Sequence, residues 1–293
     1  MSSIPPPSQP IDPRVHRCLV IGATGTIGGA VIRALQGEGF PVRGLRRWSS
    51  DDRALAGRGI DVVVGDVLEP NTLAAALMGC SYVFYAAAPD EGSSPQEILM
   101  QSVRGIRHVL EAARDVGVEK IIVTSSVATL ARVAPGKQAD EDDYYLPGSS
   151  TDPFVEAKYA VEQECFRYIA DGASIVILNP TLCTGPGIDL SRYVPYAGRR
   201  STPLNHIELS RLAGAHVQAL GHGRVGERYV IGGTNTTAAE VLGDWGLGGK
   251  GGLARVMGSF ARGEANRPRP REASLVEGGQ WFDTSKARRD LLI

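Results

Sequence analysis

Short apolar runs alternate with helix-like stretches along the first 180 residues of the chain. Cys18–Ile21 (CLVI), Val42–Leu45, Asp61–Val64 (DVVV), Tyr82–Tyr85 (YVFY), Lys120–Thr124 (KIIVT) and Ser174–Leu178 (SIVIL) read as strands. They are apolar along most of their length rather than at every second position, which is the pattern of a sheet covered on both faces. Between them the spacing predicts helices at Ala30–Leu35 (closed by Gly37 and Gly39), around Arg53–Ala56, at Leu73–Met78, at Glu97–Val116 and at Phe154–Ala170. In Glu97–Val116 the apolar residues Ile98, Val103, Ile106, Val109, Leu110 and Ala113 recur close to the helical period. After Asn179 the pattern becomes irregular, with a helix at Glu208–Leu220 and a strand at Tyr229–Ile231. Six glycines between Gly243 and Gly252 read as a flexible loop, and Arg262–Arg271 is polar and loop-like.

Strands alternating with helices imply right-handed crossovers. The expected fold is therefore α/β: a Rossmann-type, doubly wound parallel sheet with a small, reduced C-terminal lobe. Residues 1–13, five of them proline, read as a loose leader. Residues 14–180 form the nucleotide-binding domain, to which later segments return, and 181–293 supply a substrate-binding lobe and the C-terminal segments.

Composition narrows the functional classes. A chain of 293 residues that is 43% hydrophobic can bury a large core. Its 31 basic and 32 acidic residues leave a net charge of −1, which argues against nucleic acid as a partner. No apolar run approaches the roughly 20 residues of a membrane helix, and the first residues lack a secretion signal. Cys18, Cys80, Cys165 and Cys183 are scattered without a CxxC pair, so neither a disulfide framework nor a metal site is expected. A cytoplasmic setting with a small-molecule substrate fits this pattern.

The first strand runs into Gly22-Ala23-Thr24-Gly25-Thr26-Ile27-Gly28 and then a helix. A helix N-terminus offers unpaired N–H groups and the positive end of its dipole to a pyrophosphate, and glycine lets the backbone approach it. Gly28 lets the helix pack on its strand. At the first strand-to-helix junction of an alternating sheet, this turn is a dinucleotide site. The second strand ends in Arg46 and Arg47, and Asp51 and Asp52 come later. Two guanidiniums at that point favour NADP(H) over NAD(H).

The ordered motifs GATGTIG (22–28), VVGDVLEP (63–70), VFYAAAP (83–89), SVRGIRHVLEAARDVGVEKIIVTSSVAT (102–129), AKYAVEQ (157–163), NPTLCTGPG (179–187), GERYVIGG (226–233) and FDTSKARRDL (282–291) resemble the extended short-chain dehydrogenase/reductase family. This is the NAD-dependent epimerase/dehydratase group, and the match is nearest its dihydroflavonol-reductase-like branch. The resemblance implies that Asp66 and Val67 lie against the adenine. Ala86, Ala87 and Ala88 form a small-residue wall, Thr124 adjoins the cofactor, and Asn179-Pro180-Thr181-Leu182 borders the nicotinamide. It also implies that the segment through Tyr193 and Tyr196 contributes to the substrate pocket. A homodimer through a four-helix contact of Glu97–Val116 and Phe154–Ala170 is implied as well.

The family's chemistry uses a serine to orient the substrate oxygen, a tyrosine to pass a proton, and a lysine that holds the ribose and lowers the tyrosine's pKa. Ser126 matches the serine and Lys158 the lysine. Four residues before Lys158 stands Phe154, which keeps the ring and loses the proton. Ser102 stands where the family usually has asparagine. Tyr144, Tyr145, Tyr193 and Cys183 lie in loops that could supply a replacement donor, whereas the adjacent Tyr159 points about 100° around the helix; the substrate or a water is another source. His216 reads as a packing residue on its helix, and none of His206, His216 and His222 is expected to be catalytic. A sugar-nucleotide substrate needs an arginine clamp, for which Arg192, Arg199, Arg200, Arg262, Arg267 and Arg269 are candidates.

The expected function is NAD(P)-dependent reduction, oxidation or epimerisation at a carbonyl/hydroxyl carbon of a small metabolite, through an atypical active site. The alternatives are a non-redox isomerase, lyase or cyclase in biosynthesis, and a non-catalytic NADP-binding sensor or scaffold.

Overall fold

The computed structural model describes residues 11–293 apart from 52, 54, 91, 197–199 and 245–268. The core is a seven-stranded sheet. In chain order its elements begin β1 (Cys18–Ile21), α1 (Thr26–Gly37), β2 (Val42–Arg46), β3 (Asp61–Val64), α2 (Pro70–Leu77), β4 (Tyr82–Tyr85), α3 (Pro95–Val116) and β5 (Lys120–Thr124). They continue with β6 (Gln138–Ala139), α4 (Pro153–Ala170), β7 (Ile175–Pro180), β8 (Leu182–Thr184), β9 (Pro203–Glu208), α5 (Leu209–His222), β10 (Arg228–Ile231), β11 (Thr234–Thr237) and α6 (Ala238–Asp244).

The strand order is β3-β2-β1-β4-β5-β7-β10. Every neighbouring pair is parallel. The order reverses between β1 and β4, and ligands of such sheets bind outside the carboxyl ends of the strands at that point. β8, β9 and β11 form a second, three-stranded sheet. β12 (Trp281–Phe282) pairs with β6.

Successive strand residues face opposite sides of the sheet, and both sides are covered. Val20, Phe84, Ile122 and Val176 pack with Val31, Ile32 and Leu35 of α1 and Leu212 and Ala219 of α5. Leu19, Ile21, Val83, Ile121 and Ile177 pack with Leu73 of α2, Ile106 and Val109 of α3, and Val161 and Cys165 of α4. Each large side chain buried in this way contributes about 1.5–3 kcal/mol. Helix α3 starts at a capping box: the Ser94 hydroxyl accepts from Glu97 N–H and the Glu97 carboxylate accepts from Ser94 N–H. It ends at Gly117, whose φ of 76° suits glycine.

Several boundaries move. The first helix begins at Thr26, so the glycine turn leads directly into it. The sixth expected strand extends through Pro180. Of the stretch expected as a loop from Gly243, Gly243 and Asp244 lie in α6, and residues 245–252 fall outside the described residues. The helix expected around Arg53–Ala56 falls on a stretch that is only partly described, and most of the leader and residues 262–268 lie outside the described residues.

Candidate active site

A cleft of about 490 Å³ opens where the strand order reverses. One wall is the turn after β1. Gly22 has a φ of 83°, and a Cβ there would lie 2.7 Å from the Ala86 carbonyl oxygen and 2.8 Å from the Ala87 nitrogen. The β1 and β4 ends therefore approach as closely as glycine permits. Gly22, Thr24, Gly25, Thr26 and Ile27 line the cleft. Gly28 does not, and its role is packing: a Cβ there would stand 2.1 Å from the Gly22 carbonyl oxygen. No side chain caps α1 and its first turn holds no acidic residue, which leaves its N–H groups and dipole to an anion.

Arg46 and Arg47 line the same cleft, with Asp66, Val67, Ala86, Ala87 and Ala88. Arg47 donates from both terminal nitrogens to Asp90, at 2.8 and 2.7 Å. Asp66 caps its own turn by accepting from Leu68 N–H at 2.9 Å.

At the other end, Thr124, Ser125, Phe154, Lys158 and Cys183 line the cleft. Lys158 Nζ donates to the Thr124 carbonyl at 2.8 Å and lies 5.7 Å from the centre of the Phe154 ring. Burial pushes its pKa down to about 8, and the charge of Glu272 opposes that shift. His216 is fully buried on α5. Its Nδ1 meets the Leu212 carbonyl at 2.8 Å, so that nitrogen carries the proton and Nε2 accepts from the Thr124 hydroxyl at 2.8 Å. Burial lowers the His216 pKa to about 4. It packs in the core behind Thr124, where packing was expected.

A buried polar network stands behind this end of the cleft. Glu162, four residues after Lys158, accepts from Ser125, from Thr129 at 2.7 Å and from Asn179 at 2.7 Å. Its other oxygen pairs with Arg228 of β10 at 3.2 Å. Arg228 also donates to the Glu141 carbonyl, and the Glu141 carboxylate accepts from Val230 N–H at 2.7 Å. The network ties α4, β5, β7 and β10 together.

Ser126 and the whole of residues 179–182 were also expected at the cleft and, like Gly28, are not on its lining. Ser126 has an extended backbone, is 2% exposed, and turns its hydroxyl oxygen to accept from Ala128 N–H at 3.2 Å, capping the turn Val127–Thr129. Its neighbour Ser125 lines this cleft, while Val127 and Ala128 line a second cavity of about 360 Å³ with Val155 and Leu275. Pro180 ends β7 as a buried strand residue. Leu182 turns into an apolar cluster with Leu190 and Leu204. Strand alternation makes Cys183, one residue on, the one that faces the cleft.

The candidate proton donors separate. Tyr145 donates to Glu156 at 2.5 Å, Tyr159 packs on the Tyr145 ring, and Tyr144 is exposed beside Arg228. Tyr193 and Cys183 line the cleft. Burial pushes the Cys183 thiol up to about 12, which keeps it protonated. The Tyr193 hydroxyl donates to Glu272 at 3.3 Å. Of the arginines considered for a clamp, Arg192 lines the cleft and Arg269 pairs with Glu277, while Arg199, Arg262 and Arg267 lie outside the described residues.

Arg271 and Glu272 also line the cleft and had escaped the sequence reading. They sit just before the short helix Ala273–Glu277, in a polar stretch without a motif. Asp90 had escaped too, although it directly follows the small-residue wall. The buried Arg271 Nε has no hydrogen-bond partner, which suits a cleft built for an anionic ligand. That orphan donor, the backbone cradle at Gly22 and the open end of α1 together fit a nicotinamide dinucleotide. Among the described residues, no His/Cys/Asp/Glu cluster could hold a metal ion, and no helix is long and apolar enough to cross a membrane.

Comparison with known proteins gives one consistent answer. Residues 18–232 match the NAD dependent epimerase/dehydratase family. The chain is 32% identical over 243 residues to a Synechocystis protein provisionally named dihydroflavonol 4-reductase, covering 76% of this chain and 69% of that one. It is 27% identical over 249 residues to cinnamoyl-CoA reductase 1 of Oryza sativa subsp. japonica, covering 76% and 73%. The crystal structure of gox2253 superposes with a TM-score of 0.76 at 30% identity, covering 94% of this chain and 92% of that one.

Proposed function

We propose that this chain, which belongs to the NAD dependent epimerase/dehydratase family, is an NADP(H)-dependent oxidoreductase that works on a carbonyl- or hydroxyl-bearing carbon of a small metabolite through an atypical active site. The family binds a nicotinamide cofactor. The preference for NADP(H) rests on Arg46 and Arg47 on the cleft wall. The observation that carries the reading is a single cleft with the glycine cradle at one end and Lys158 beside Phe154 at the other.

In this reading Gly22 to Ile27 bind the pyrophosphate, and Asp66, Val67 and Ala86–Ala88 enclose the adenosine side. Lys158 holds the nicotinamide ribose. The bound nicotinamide supplies or accepts the hydride. Ser126 spends its oxygen on Ala128 N–H, so its proton remains to be given to a substrate oxygen that reaches it. Phe154 cannot move a proton. Tyr193, whose hydroxyl donates to Glu272, is the candidate tyrosine that lines the cleft, and it takes over that task. Residues 181–293 supply most of the substrate side, and four buried free thiols suit a reducing cytoplasm. The outer faces of α3 and α4, linked by Arg107 and Glu164 at 2.6 Å, are the surfaces a homodimer would use.

The test is NADPH oxidation against a panel of aldehydes and ketones, with NADH in parallel. Carbonyl-dependent oxidation that prefers NADPH supports the reading. NADPH binding without any turnover of carbonyls or alcohols overturns it. Phe154 favours a second reading, a non-redox isomerase, lyase or cyclase that keeps its coenzyme. That activity would convert substrate with no net change in nicotinamide absorbance. A sensor or scaffold would bind NADP and turn over nothing.

A further inference from the structure

The adenosine end of the cleft holds an ion pair that the coenzyme must meet. Arg47 follows the last residue of β2, and Asp90 follows the Ala86–Pro89 wall after β4. Both line the cleft. The two terminal nitrogens of Arg47 engage the two carboxylate oxygens of Asp90, at 2.8 and 2.7 Å. This geometry occupies the guanidinium fork, the group that otherwise receives two oxygens of a phosphate. The pair is within reach of a ligand, because the side chains are 43% and 59% exposed.

We propose that Asp90 is an internal competitor for the seat of the coenzyme's 2′-phosphate, and so sets the discrimination between 2′-phosphorylated and unphosphorylated adenosine coenzymes. The inference rests on reading this cleft as the coenzyme site. A 2′-phosphate seated on Arg47 takes the fork from the carboxylate and then stands beside that negative charge. A coenzyme with a free 2′-hydroxyl does not need the fork and leaves the pair closed. The carboxyl of Asp90 is held below its usual range first by Arg47 and further by Arg271. Asp90 thus stays charged near neutral pH. Exposed pairs are weak, so the competition lowers affinity by a small factor and does not block binding.

The test is calorimetric titration of the full-length chain with two coenzyme fragments, 2′,5′-ADP and 5′-AMP, at low ionic strength. Asp90→Asn is expected to raise affinity for 2′,5′-ADP roughly three- to tenfold and to leave 5′-AMP within about twofold. Adding Arg47→Ala to Asp90→Asn should erase the gain. The proposal is overturned by an unchanged 2′,5′-ADP affinity, by a gain that survives Arg47→Ala, or by a loss of 5′-AMP affinity, which would make Asp90 a ribose ligand instead. Wild-type protein that binds neither fragment, nor NADP, would remove the coenzyme-site reading itself.

Discussion

Lys158 carries its ammonium group 5.7 Å from the centre of the Phe154 ring, one turn earlier on α4. The ring faces the cleft as a tyrosine's would, and offers the lysine a π face but no hydroxyl. Four residues make about one helical turn, which sets both side chains on the cleft side of the helix. The site therefore holds a cation beside a ring that carries no proton to give.

Phe154→Tyr places a hydroxyl on that ring, beside Lys158. If the rest of the site is intact, carbonyl reduction should rise by up to about 10²–10⁴, the usual worth of a general acid. Steady-state rates of wild type and variant measure it. No gain in a folded variant that binds NADPH would show that the pocket does other chemistry.

Tyr193→Phe removes the hydroxyl that donates to Glu272 at 3.3 Å. Turnover should fall by about 10² or more while NADPH affinity holds. Glu272→Gln should shift the pH profile of turnover and lower it less. A Tyr193→Phe variant with wild-type turnover would return the proton's source to the substrate or a water.

Burial lowers the Lys158 pKa to about 8. The ammonium is complete only below that value, so an interaction with the coenzyme ribose should weaken as pH climbs through about 8. Titrations of NADPH binding from neutral to alkaline pH measure this. In Lys158→Met, affinity should be lower and the alkaline limb absent. An alkaline limb that persists in that variant would assign it to another group. The same shift makes folding stability rise between about 8 and the ordinary lysine value of 10.5, because the unfolded chain binds the proton that the native lysine has lost.

His216 behaves in the same sense at acid pH. Its folded pKa is about 4 against 6.5 when unfolded, so the native state resists a proton that the unfolded state accepts. Stability from this group is present above about 6.5 and is lost as pH falls toward 4, by about 3 kcal/mol at full extent. Urea denaturation across that window should show a shallower loss in His216→Gln. An identical slope in both proteins would rule out His216 as the sensitive group.

Arg228 and Glu162 are both buried, 7% and 1% exposed at the side chain, and 3.2 Å apart. Arg228→Met leaves the carboxylate without its cation and should cost about 3–5 kcal/mol. Arg228→Met combined with Glu162→Gln should recover part of that loss. Thermal melts of the single and double variants decide it. A single variant as stable as wild type would show that the pair contributes nothing to the fold.

The outline of the sheet was legible because its signals are local. β1, β3, β4 and β5 lie where continuous apolar runs mark strands, and the glycine turn opens α1. The seventh strand, β10, was legible as a strand. Its place beside β7 was not, because no local pattern encodes pairing between residues fifty positions apart. Ser126 shows the converse difficulty. Its motif position named it, yet a single φ/ψ choice at the end of β5 sends its oxygen to Ala128 N–H. Leu182 and Cys183 exchanged roles for a similar reason, since one residue of strand register decides which of them faces the cleft.

By itself the sequence determined the chemistry on offer: a glycine turn at a strand-to-helix junction, two arginines ending the second strand, and a lysine one helical turn after a phenylalanine. Those features follow from steric rules and side-chain identity over a few residues. Only the tertiary structure decided that Asp90 closes on Arg47, that Glu272 holds Tyr193, and that Arg271 enters the cleft. These partners come from segments far apart in the chain. Charge and hydrogen-bond geometry act through space, so their pairing exists only once the sheet has brought the segments together.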